Sequence, residues 1–184
     1  MTWVDAIPVV LIILYAVVGF YGGVLRRLIG LVALYIAFVA GTNMGLQAGG
    51  ILQQSSSYAT PDARIYGFFG IVFAVLIVVE VAAQLASGQI QVQAIVFNRV
   101  SGLVVGLITA LLLSVLVTYE LKAAGNPIGG STLDSMQQSI RDAVNNSKIA
   151  VPLSNGLQRL IVPIFQPVLP ADPQIYFGPG PVNP

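Results

Sequence analysis

Residues 6–25 read AIPVVLIILYAVVGFYGGVL, 20 residues without a charge. A helix rises 1.5 Å per residue, so about 20 residues cross the ~30 Å hydrocarbon core of a bilayer. Pro8 falls in the first turn, where a missing N–H costs little. Trp3 and Asp5 precede the run and the pair Arg26-Arg27 follows it. A secretory signal carries its basic residues before the apolar stretch. The order here is reversed, and the segment is read as a retained membrane helix.

Outward from this run the pattern repeats. Residues 28–48 (LIGLVALYIAFVAGTNMGLQA) begin apolar and end in small and polar residues. Residues 65–86 are apolar around a single carboxylate, Glu80, and residues 100–119 are again uncharged. Between them lie a turn-rich loop, QQSSSYATPDAR, and a segment, SGQIQVQAIVFN, that alternates polar and apolar and reads as an interfacial stretch or an amphipathic turn.

From Glu120 the character changes. Gly125, Asn126, Pro127, Gly129 and Gly130 form a linker, and Ser131 with Asp134 resembles a capping box. Leu133, Met136, Ile140 and Val144 recur at helical spacing. So do Leu153, Leu157, Leu160, Ile161, Ile164, Phe165 and Val168, in a stretch that Pro152, Pro163, Pro167 and Pro170 limit to a short helix. An interfacial or bundle-capping role fits it better than a fifth span.

The expected fold class is therefore all-α: a polytopic membrane protein of four transmembrane helices followed by a C-terminal amphipathic helical segment. The expected division is a four-helix transmembrane domain over 1–122, a linker with amphipathic or interfacial helices over 123–170, and a disordered Pro/Gly-rich tail over 171–184.

Composition agrees. Of 184 residues, 56% are hydrophobic and 8% charged, against about 25% charged in soluble domains. A soluble chain this short buries only ~70% of its surface and could not hide so much apolar area. A net charge of +1 gives no footprint for nucleic acid. The chain has no cysteine and no histidine. Disulfides, Cys/His zinc sites and Ser-His or Cys-His nucleophiles are thereby excluded, and no cofactor or metal is expected. Lys148 next to Ser147 points elsewhere on a helix, so no Ser/Lys dyad is expected and the chain is read as a non-enzyme.

Four spans place Arg26, Arg27 and Arg99 on one side and Arg64 and Lys122 on the other. The positive-inside rule then puts both termini outside the cytoplasm.

Three sets of residues stand out. Gly19 and Gly23, Gly41 and Gly45, and Gly102 and Gly106 sit four apart, the spacing that lets helix backbones approach in lipid. They pack the bundle internally or serve self-association or a partner helix. Glu80 lies at the level of Arg26, Arg27 and Arg99, and a carboxylate inside a span ordinarily faces protein or water and has a partner. It is read as one half of a structural ion pair, the rival being a proton- or ion-handling group. Asp5 is read as the N-cap of the first span, Ser147 as a cap of the last helix, and Arg99 as snorkelling or pairing with Glu80.

The order of WVDAI, GFYGGVLRR, NRVSGLVVGLITALLL and NSKIAVPLS resembles the colicin V production protein family. Arg99, Gly102 and Gly106 match its pattern, Asn98 stands where the family usually has an acidic residue, and Thr109-Ala110 stands in place of Arg-Gly. Ser147 and Pro152 match its Ser…Pro element, and the likeness covers roughly residues 1–165. It implies a multi-pass protein of the bacterial inner membrane, tied to toxin export and envelope maintenance, with the lipid bilayer, other envelope proteins or further copies of itself as partners. The rival function is a small oligomeric transporter or channel. It would need Glu80, Asn43, Gln47 and Gln84 to converge on one lumen.

Overall fold

A computed structural model describes residues 1–56, 58–87, 95–129 and 132–179. Among these the structure is all helical: α1 (Trp3–Ser55), α2 (Thr60–Ser87), α3 (Ile95–Ala124), α4 (Ser135–Asn145), α5 (Ala150–Phe165) and α6 (Pro173–Tyr176). Three of them, α1 to α3, are long and apolar enough to cross a membrane. The alternating segment after Ser87 falls on 88–94, outside the described residues, and Ile95–Asn98 already belong to α3.

The sequence pattern places two helices over 6–25 and 28–48 with a tight loop at Arg26-Arg27. Instead, α1 is broken at Gly23, where φ is 75° and ψ 174°. That region is open essentially to glycine alone. The chain turns back there. The Tyr15 ring lies 5.4 Å from the Arg27 guanidinium, whereas the twelve residue steps from one to the other would span about 18 Å of straight helix. The two arginines thus open the second arm rather than forming a loop. That arm continues through the small, polar stretch to Ser55.

The apolar pattern is turned outward. Ile13, Val32, Ile77 and Val78 are all more than half exposed, an apolar coat that a soluble monomer does not carry. Only 22% of the apolar window of α1 and 28% of that of α2 are buried, against 50% for α3. The most deeply buried of the three is accordingly α3; α1 packs against both α2 and α3, and α4 and α5 lie against α3.

Past α3 the structure departs from expectation at three places. Asp134 caps α4: its carboxylate accepts from the Gln137 backbone N–H at 2.8 Å, in a capping box closed by the Gln137 side chain, while Ser131 lies outside the described residues. Pro152 and Pro163 both lie within α5, which still runs 16 residues. Residues 171–179 are not a loose tail; only 180–184 lie outside the described residues. The carboxylate of Asp172 caps α6, accepting from the N–H of Gln174 at 3.1 Å. Tyr176 and Phe177 are buried, and Phe177 meets Phe68 edge-on at 5.5 Å and stacks on Phe69 at 6.2 Å. Two aromatic rings supply enough buried area to fix a segment whose Pro/Gly content argues for disorder.

The Tyr176 hydroxyl donates to the Gly41 carbonyl at 3.1 Å. Burial, and after it the nearby Glu120, push this phenol above its usual range, so it stays a donor. Tyr176→Phe is expected to cost about 1 kcal/mol, the net worth of one hydrogen bond, read as a small loss of thermal stability in detergent.

Candidate functional site

Two constellations are built where distant parts of the chain meet, one at each end of the bundle. The first joins the start of α1 to the start of α5. A helix leaves its first N–H groups without partners. At α5 the Asp5 carboxylate collects them. Its Oδ1 accepts from the backbone N–H of Lys148 at 3.0 Å, Ile149 at 2.9 Å and Ala150 at 3.2 Å. The Ser147 hydroxyl donates to the same oxygen at 2.5 Å. Ser147 Oγ in turn accepts from the Val151 N–H at 3.1 Å.

The next residue, Pro152, has no N–H to satisfy, and Leu153 makes the first intrahelical bond, to Ile149, at 3.0 Å. The spacing of serine and proline is thereby accounted for: one carboxylate, one hydroxyl and one imino acid settle every donor of the first turn. The remaining oxygen, Oδ2, accepts from Thr2 N–H at 2.9 Å, and Thr2 Oγ1 donates to the Ala143 carbonyl of α4 at 2.9 Å.

Asp5 is thus not the N-cap of α1. Thr2 holds that place, with Asp5 three residues on in a capping box. The carboxylate's larger task is to hold a helix some 145 residues away. It is only 1% exposed. Charge-assisted hydrogen bonds in such a setting, backed by the positive end of a helix dipole, are strong.

The second constellation lies at the Gly23 end. Asn98, in the first turn of α3, accepts from Val24 N–H through Oδ1 at 2.9 Å, closing the break in α1. A Cβ on Gly19 would stand 2.5 Å from the Gly102 carbonyl oxygen, and one on Gly102 would stand 2.3 Å from that of Gly19. A Cβ on Gly106 would meet the Tyr15 carbonyl at 2.4 Å. The two GxxxG pairs therefore face one another, and their small faces are used within the chain.

Gly41 and Gly45 do the same against Val72 and Phe68 of α2. Since the obstacle at Gly102 is backbone, Gly102→Ala is expected to destabilise the bundle by about 2–3 kcal/mol, the upper range for overpacking. A drop in midpoint in a detergent-unfolding series checks this.

Glu80 meets two guanidiniums here, Arg26 at 2.7 Å and Arg27 at hydrogen-bond distance. Arg27 is 1% exposed, and its cation also faces the Tyr15 ring. Arg99 is not part of the cluster: it lies over the Phe20 ring at 5.7 Å. Gln84 accepts from Arg26 at 3.2 Å. Glu80→Gln would leave a buried guanidinium without its counter-charge. The expected loss is about 2 kcal/mol or more, measurable as a lower melting temperature, with partial recovery in Glu80→Gln/Arg26→Gln.

Asn43 and Gln47 are exposed on the second arm of α1, far along it from Glu80, so the four polar groups of a channel reading do not converge.

One buried carboxylate lies outside both constellations and carries no signal in the sequence. Glu120 reads as the exit of the last span, yet it is fully buried, because α3 continues to Ala124 under the C-terminal segment. Neither of its carboxylate oxygens has a hydrogen-bond partner among the described residues. Nothing in the local pattern marks it, since a carboxylate at a span end ordinarily meets water.

Long lipid-facing apolar helices, packed through glycine faces, define a multi-pass α-helical membrane protein. The family model described as colicin V production protein matches residues 4–157, and the chain belongs to that family. No curated protein and no solved structure matches the chain.

Proposed function

We propose that this chain is a non-enzymatic accessory or scaffold protein of the bacterial inner membrane that supports production or export of a colicin V-type toxin and envelope homeostasis. The observation that carries the reading is the extent of the family match. Residues 4–157 take in the membrane helices and also Asp5, Ser147 and Pro152, so the region matched is a bundle with its clamp. A protein whose most elaborate hydrogen-bonding joins two of its own helices presents a shaped surface rather than a reaction centre.

In this reading the two arms of α1 cross the membrane separately, giving four spans with α2 and α3. The Gly23 end, which holds Arg26, Arg27 and Arg99, faces the cytoplasm. Both termini and α4 to α6 then lie outside it. On α5, Leu160 and Ile164 stay exposed beside Arg159, as suits an amphipathic segment resting at the lipid headgroups. Partners are other membrane or envelope proteins, or a second copy.

The test is complementation in a toxin-producing bacterium that lacks the chain. Restored export, together with labelling of Thr2→Cys from outside the cell, is expected. Substrate flux through liposomes holding the purified chain alone would overturn the scaffold reading in favour of a transporter.

A further inference from the structure

An apolar groove of about 290 Å³ lies between the first arm of α1 and α2, with Leu11, Leu14, Tyr15, Leu76 and Ile77 among its walls. Leu14 and Ile77 are 49% and 64% exposed, so the groove opens sideways to the surroundings of the bundle. Among the described residues its charged lining is Arg27 and Glu80.

That pair does not balance. Arg26 and Arg27 share one carboxylate, and among the described residues the buried Nε atoms of both have no acceptor. Nothing nearby can supply the missing charge. The chain has seven Asp and Glu residues. Asp5 is bound to the start of α5, Asp62 is in the first turn of α2 and Asp172 caps α6. Asp134 and Asp142 belong to α4, and Glu120 lies near Tyr176. Arg99 adds a further positive charge at the Gly23 end, and the residues that follow Ser87 up to Arg99 are uncharged. Buried cations with idle donors call for an anion. A wall of side-chain carbon beside them calls for hydrocarbon.

We propose that this groove binds an anionic phospholipid, one acyl chain along Leu14 and Ile77 and the phosphate at its Arg27 end, where Arg26 adjoins through the Glu80 carboxylate they share. Guanidiniums match phosphate geometry, and in lipid an acyl chain is the apolar filler always at hand. The inference rests on the membrane reading, and its test keeps the two apart. If the chain stays soluble without detergent, the membrane reading fails first.

The full chain, stripped of lipid in detergent, is titrated with phosphatidylglycerol or phosphatidylcholine of identical acyl chains and weighed by native mass spectrometry. Phosphatidylglycerol is expected to be retained preferentially by about fivefold or more, the weight of one basic residue at an anionic surface. Arg26→Gln, which leaves the Arg27–Glu80 pair intact, should bring the two lipids near parity. Ile77→Trp, which fills the groove, should lower retention of both.

Four results overturn the proposal. One is equal retention of the two lipids by the parent chain. Another is a preference that survives Arg26→Gln. The third is competition by glycerophosphoglycerol, which has the headgroup and no chains, as effective as that of the whole lipid. Displacement of lipid by a second copy of the chain, seen as a dimer mass, counts against it equally.

Discussion

Asp5→Ala is expected to release the C-terminal helices from the bundle while leaving α1 to α3 assembled. The carboxylate is the acceptor for three consecutive backbone N–H groups and the Ser147 hydroxyl. Alanine leaves all of them facing a void lined by other donors. The helix dipole of α5 loses its counter-charge at the same stroke. Amide exchange at Lys148 to Val151 should rise by about tenfold or more, because these bonds would open without unfolding the rest.

Asp5→Asn should be nearly as harmful. Its amide keeps one acceptor but turns an NH2 toward groups that also donate. Ser147→Ala should be milder, since Asp5 remains for the backbone. Unchanged exchange in Asp5→Ala would show that apolar packing of Ile161, Phe165 and Phe177 alone holds the segment, and the clamp would then be ornamental. Toxin export by a variant that accumulates normally is the functional readout, and the scaffold reading expects it to fall with the loss of protection.

What the sequence shows and what it hides follows from the range of the forces involved. Hydropathy marks lipid-facing helices directly, because every exposed apolar residue on α1 to α3 answers to the same solvent. The glycine spacing is equally local, and Gly19, Gly23, Gly102 and Gly106 are all found where backbones touch. The level of Glu80 along its helix was enough to indicate Arg26 and Arg27 as neighbours, though not that Arg99 would turn to Phe20 instead.

The Asp5–Ser147 contact was invisible to local reading. Each residue offers an ordinary capping role on its own helix; Ser147 performs it, while on α1 the N-cap is Thr2 and Asp5 accepts the Thr2 N–H. What joins them is the path of everything between. Likewise Glu120, Tyr176 and Phe177 take their character from a segment whose composition argues against order. Burial there is a tertiary outcome, set by two rings fitting against Phe68 and Phe69.

Gly23→Ala is expected to have the largest effect of any single methyl in the chain. The backbone there must hold φ at 75° and ψ near 174°. An L side chain forced into that region costs about 1–3 kcal/mol. The added Cβ would also stand 2.3 Å from the Asn98 amide nitrogen and 2.6 Å from its oxygen. To make room, Asn98 must move and give up the Val24 N–H that it accepts. Strain, clash and an orphaned donor thus fall on one residue.

The helix can escape all three by continuing straight. That would carry Arg26 and Arg27 away from Glu80 and part the Gly19 and Gly102 backbones. Because the chain has no cysteine, Thr2→Cys and Ser56→Cys can each be read alone with an impermeant maleimide. In the parent both ends of α1 should label from the same side. In Gly23→Ala the folded fraction should fall about tenfold or more, with the surviving molecules labelling from opposite sides.

The double variant Gly23→Ala/Asn98→Ala separates the causes. It removes the clash and leaves the backbone strain, so recovery should be partial. Full recovery would mean that the Asn98 side chain, and not the glycine-only conformation, fixes the turn.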